Sequence, residues 1–108
     1  MTDLKLLKLA ARAAGYAEFT FINGHGAVLS QKPGVMQPYV KWNPLVDNGD
    51  AFHLMVQLKI WVDPSLDQTF AHHEAPDIDV FENHGSDPYA ATRRAIVRIA
   101  AEIGRGVK

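Results

Sequence analysis

Three features of the sequence predict an α+β fold built on a mostly antiparallel sheet. The hydrophobic periods run in α-β-β-β-α-β-β-α order, with two or three strands in the second group. The strand-like segments are joined by turn signals such as Asn23-Gly24, which imply hairpins rather than βαβ crossovers. The chain has 108 residues, enough for one hydrophobic core and too few for two. The expectation is one domain, with an ordered core over residues 2–104 and a single sheet of about four to six strands packed by three helices.

Residues 2–14 read as the first helix. Leu4, Leu7, Ala11 and Ala14 share one face, and Lys5, Lys8 and Arg12 share the other. Thr2 or Asp3 suits its start, and Gly15 its end. The basic face reads as the solvated side of a core-packed helix, with a membrane-surface helix as the competing reading. Residues 16–22 and 25–31 form a hairpin about Asn23-Gly24. A turn at Lys32-Pro33-Gly34-Val35 then leads to a third extended segment over 35–42, marked as an edge by Pro38. The second helix is expected over 47–59, capped by Asp47, and its wide apolar arc predicts the most buried of the three. Short strands follow over 60–62, 68–73 and 78–81. Asp87-Pro88 is the expected order for an N-cap and first helical residue, and Gly104 is read as the end of that last helix. Trp42, Leu54, Val56, Ile96, Ile99 and Ile103 are expected inside, with Tyr89 also pointing inward. Lys5, Lys8, Arg12, Arg94 and Arg98 are expected outside, with Arg98 paired to Glu102.

Composition excludes several classes of function. The net charge of −1 argues against a dedicated nucleic-acid binder. With no cysteine there is no disulfide, thiolate nucleophile or cysteine-ligated zinc. No signal peptide or membrane span is legible, so a cytoplasmic location and no membrane partner are expected. No nucleophile elbow or phosphate loop is present, and no cofactor is expected. A homo-oligomer is compatible with the sequence.

Two stretches carry a family resemblance. One is Trp42-Asn43-Pro44-Leu45-Val46-Asp47-Asn48-Gly49-Asp50-Ala51. The other runs from Glu82-Asn83-His84-Gly85-Ser86 through Asp87-Pro88-Tyr89-Ala90-Ala91-Thr92-Arg93-Arg94 to Arg98. With the leucine-rich first helix they resemble the phage ABA sandwich domain, a family of small proteins of tailed phages and prophages. The resemblance implies an α/β/α layering and a phage or prophage origin, but no catalytic residues.

Two constellations are candidate sites. Trp42, Asn43, Asp47 and Asp50 would either line a polar pocket beside an aromatic wall or serve the turn and helix cap. The second lies in the acidic stretch 63–87, which holds seven of the chain's 12 acids and no Lys or Arg. There His72, His73, Glu74, Asp77 and Asp79 offer imidazole and carboxylate, a ligand set for zinc or manganese. His72 and Glu74 are expected on one strand face, and Asp77 and Asp79 on another. Solvated edge residues, or a surface for a basic partner, are the other readings of this stretch. The functional expectation is a non-enzymatic accessory protein that binds a host or phage protein. The alternatives are a small metal-dependent enzyme and, more weakly, an acidic decoy for a nucleic-acid-binding enzyme.

Overall fold

The computed structural model describes residues 1–22, 24–29 and 39–107. Its elements are α1 (Asp3–Ala13), β1 (Glu18–Ile22), β2 (His25–Leu29), β3 (Tyr39–Lys41), α2 (Asn48–Leu58), β4 (Trp61–Pro64), β5 (Gln68–His73), β6 (Ile78–Asn83) and α3 (Pro88–Arg105). The order is the expected one, and the fold is α+β. Asn23 and the Lys32-Pro33-Gly34 turn lie outside the described residues; of the third expected strand, Tyr39–Lys41 is described and paired to β2.

The strands form two antiparallel sheets, β1-β2-β3 and β4-β5-β6, rather than one. The reason is the link between β3 and β4. Hairpin signals fix neighbours inside each meander, but residues 43–60 are spent on a turn and a helix, which leave the pairing of the two groups open. Each sheet then finds its own helix: α1 packs on β1, and α3 packs on all three strands of the second sheet. The expected α/β/α layering is not what is seen there. α3 covers one face of β4-β5-β6, while Trp61 and Phe81 on the other face stay exposed.

Helix ends follow the sequence closely. The Thr2 hydroxyl accepts the Lys5 N–H at 3.2 Å, and Asp87 accepts those of Tyr89 and Ala90 at 3.1 Å. Lys59 closes α2 in a left-handed conformation. The end of α3 differs from expectation. Gly104 lies buried inside the helix, which continues through Arg105. It is a packing residue: the α3 backbone rests there directly against Leu9 of α1. Ala10 and Ala11 of α1, with Ala100 and Ala101 of α3, supply the other small surfaces at the centre of the core.

Core positions are mostly as expected. Trp42, Leu54, Ile96 and Ile99 are buried, and Ile103 is half-buried. Leu4, Val56 and Tyr89 are exposed, against expectation. α2 is the least buried helix rather than the most, since only Ala51 and Leu54 of it are fully inside. Its apolar arc is wider than the surface its main neighbour, α3, offers, and Phe52 (63% exposed) and Val56 (58%) are left outside. Lys5, Lys8 and Arg12 are exposed as expected, whereas Arg94 and Arg98 are half-covered. Arg94 pairs with Asp3 at 3.0 Å, and Arg98 with Glu82 rather than Glu102, which takes Arg105 instead at 3.2 Å. The outward-facing Arg98 side chain meets the edge of β6, a partner that helical spacing does not reveal.

Candidate functional site

The Trp-Asn-Pro turn is architecture. Trp42 is buried, with its ring edge-on to Tyr16 (5.6 Å) and Phe19 (5.9 Å), and its backbone N–H donates to the Gly26 carbonyl at 2.8 Å. The Asn43 side chain accepts the Leu45 N–H at 3.0 Å, the turn that proline at 44 favours. Asp47 caps α2 by accepting the Asp50 N–H at 2.9 Å. Asp50 then reaches back and accepts the Asn43 N–H at 2.8 Å, so the carboxylates clamp the two ends of the turn. All four residues are committed to one another or to the core.

A first-turn aspartate acting only on the helix dipole would be worth about 0.3–1 kcal/mol, less than a cap, and the Asp50–Asn43 bond reverses that order. Asp47→Ala is expected to cost about 0.5–2 kcal/mol, as for other caps. Asp50→Ala is expected to cost at least as much, about 1.5–3 kcal/mol, because a half-buried N–H loses a charged acceptor. Urea denaturation of both variants checks the order. A second readout is Tyr16, whose hydroxyl is held above its ordinary pKa by burial and then by the charge of Asp50. Removing Asp50 should bring the Tyr16 titration down.

The acidic stretch folds into the second sheet, and the alternation of its strands sorts its residues. On the face toward α3, Val62, Ala71 and Val80 form one cross-strand row. On the opposite face two rows appear, Trp61-His72-Asp79 and Asp63-Phe70-Phe81. Phe70 lies 4.9 Å from Phe81 and stacks on His72 at 6.3 Å, while Trp61 meets His72 edge-on at 6.2 Å. Trp61 is 64% exposed and Phe81 56%. The result is an open aromatic face that carries Asp63 and Asp79, with Asp77 beside His72 in the following turn.

Of the five residues expected to hold a metal, three come together. His72 Nδ1 donates to Asp79 at 2.6 Å and lies 3.7 Å from Asp77; one ligand atom from each falls within 4.8 Å of the others. His73 faces the other way, as its neighbour on a strand must, and its Nδ1 donates to the Pro76 carbonyl at 2.9 Å. Glu74 lies past the end of β5 in an exposed turn, so it does not share a strand face with His72. His72, Asp77 and Asp79 suffice for a hydrated, solvent-exposed cation; they equally make a hydrogen-bonded anionic rim.

The edges of this sheet are guarded. β4 ends in Pro64, which has no N–H to offer, and at β6 Arg98 donates to the Phe81 carbonyl at 3.2 Å as well as to Glu82. Sequence reasoning took Trp61, Phe70 and Phe81 for strand formers and missed their role as a surface. The available signal was the period-two placement of aromatic rings on the same parity as Asp63, His72 and Asp79.

No protein-family model, curated protein or solved structure matches the chain. The likeness to the phage ABA sandwich domain therefore stands on the sequence motifs alone. No helix among the described residues is long and apolar enough to cross a membrane.

Proposed function

We propose that this chain is a non-enzymatic protein-binding module, of the phage or prophage accessory type its motifs resemble. It docks a basic segment of a host or phage protein on the open face of β4-β5-β6. The observation that carries the reading is the exposed row of aromatic rings flanked by Asp63, Asp77 and Asp79, with no Lys or Arg between Lys59 and Arg93. Aromatic rings give contact area at low entropic cost and attract cations at their faces. Carboxylates at the rim steer a positive partner and reject a negative one. The guarded edges favour docking on the face over strand addition.

The acids of the stretch are dispersed, which weakens the decoy alternative. Glu82 is turned to Arg98, Asp87 caps α3 and Asp79 holds His72, so no continuous row of carboxylates imitates a phosphate backbone. The metal-dependent alternative is favoured by the proximity of His72, Asp77 and Asp79 and draws on the same carboxylates.

The test is affinity capture from a bacterial lysate with the native chain and with Trp61→Ser/Phe81→Ser, both at exposed positions. Retention of a protein that is lost in the variant and weakened by salt is the expected result. Equal capture by both chains, or capture that salt strengthens, would overturn the assignment of this face. Stoichiometric zinc or manganese uptake that His72→Ala abolishes would favour the metal-dependent reading instead.

A further inference from the structure

The exposed side of α2 borders a groove on the opposite side of β4 from the aromatic face. It is a cleft of about 670 Å³ between α2, the first turns of α3 and the β4–β5 turn. Its walls are Phe52, Met55, Val62, Leu66, Tyr89 and Ile96. The size falls in the range of small-molecule sites, and mostly apolar walls with few polar groups are their usual make-up. Phe52, Tyr89 and Leu66 leave much of their apolar surface to water, and Leu66 is fully exposed.

One cation stands at this groove. Arg93 lines it, with Nε donating to the Leu45 carbonyl at 2.9 Å and Nη1 to the Asn48 side-chain oxygen at 2.7 Å. Both acceptors are neutral. Arg94, Arg98 and Arg105 each have a carboxylate within salt-bridge distance; among the described residues Arg93 has none. Two bonds use two of the five guanidinium donors, and Nη2 is in neither. The two tethers hold the plane of the group in place, which lowers the entropic cost of accepting a ligand. The floor is held as well: His84 and Thr92, both groove residues, are tied together by the buried Thr69 hydroxyl at 2.9 and 2.7 Å.

We propose that this groove binds a small molecule with an apolar aromatic body and one carboxylate, which Arg93 receives. The apolar body covers the exposed rings and Leu66. The carboxylate supplies the negative charge that the described residues do not place beside Arg93. The site is separate from the proposed docking face, which lies on the outward side of β4, so the two readings fail or stand independently.

Matched probes test the idea: 3-phenylpropanoate and its neutral amide, titrated into the ¹⁵N-labelled chain. The acid should shift the amide signals of Phe52, Leu66 and Tyr89, and the neutral amide should bind about tenfold more weakly. Arg93→Gln should erase that preference. Since Arg93 also tethers α2, a second variant guards against misfolding: Leu66→Asp, at a fully exposed position, removes an apolar wall for both probes but should weaken the acid more than the amide by placing a like charge at the mouth. Trp61→Ser should change nothing. Equal affinity for acid and amide, shifts confined to other surfaces, no saturable binding, or an acid preference unmoved in a folded Arg93→Gln would each overturn the proposal.

Discussion

Gly104→Ala is expected to destabilise the protein by about 3 kcal/mol, although it improves the helix propensity of α3. A Cβ built on Gly104 would fall 2.7 Å from the carbonyl carbon of Leu9 and closer still to its oxygen. Both atoms are backbone, held inside the hydrogen-bonded ladder of α1, so no rotamer change relieves the clash. The two helices must separate, and with them the layer of alanines that fills the space between. In an unpacked helix the same substitution would stabilise by about 1 kcal/mol, so the sign of the effect is diagnostic. A urea midpoint that falls supports the close α1–α3 approach; one that rises removes it.

Trp42→Ala should cost about 3–5 kcal/mol, the usual range for deleting a large buried ring. Trp42 joins three elements: its ring touches Tyr16 after α1 and Phe19 in β1, and its backbone N–H, which the substitution keeps, bonds Gly26 in β2. Gly26 itself leaves no room for a side chain beneath the Trp42 carbonyl, so the ring and the strand fit as a unit. Trp42→Phe should cost less, because a second ring retains the edge contacts with Tyr16 and Phe19. Fluorescence provides a check independent of the denaturation midpoint. Trp42 is buried and Trp61 is exposed, so the substitution should leave only the red-shifted emission of a solvated indole.

Local chemistry made much of this fold legible. Asp47 and Asp87 cap the helices whose starts they mark in the sequence, and of the two candidates Thr2 and Asp3 it is Thr2 that caps the first, because a cap depends on a few neighbouring residues. Strand β5 was located to the residue, since its alternation and flanking breaks are local too. What the sequence left hidden is set by distant partners. Helical spacing placed Arg98 on an outer face, which it occupies, but not beside Glu82 on β6. An apolar arc on α2 signals burial only if something lies opposite, and α3 covers just part of it. Gly104 read as a stop because glycine ends helices, while its actual cause is Leu9 on another helix. At the candidate sites, the sequence reading grouped His73 with His72 although strand parity divides them, and whether the outer rows of the second sheet are covered depends on where the helices settle.

The contact between Leu9 and Gly104 also constrains how the chain reaches its fold. During synthesis at 5–20 residues per second, α1 emerges roughly 5–20 s before the stretch of α3 it must meet. Through that interval Leu6, Leu7 and Leu9, buried in the finished protein, lack the α3 surface that completes their cover. The hairpins can form early, but the centre of the core closes only after the last helix leaves the ribosome. A nascent chain stalled before Gly104 should therefore remain open to protease and to chaperones that grip exposed leucines, while release of the final turns should bring protection in one step.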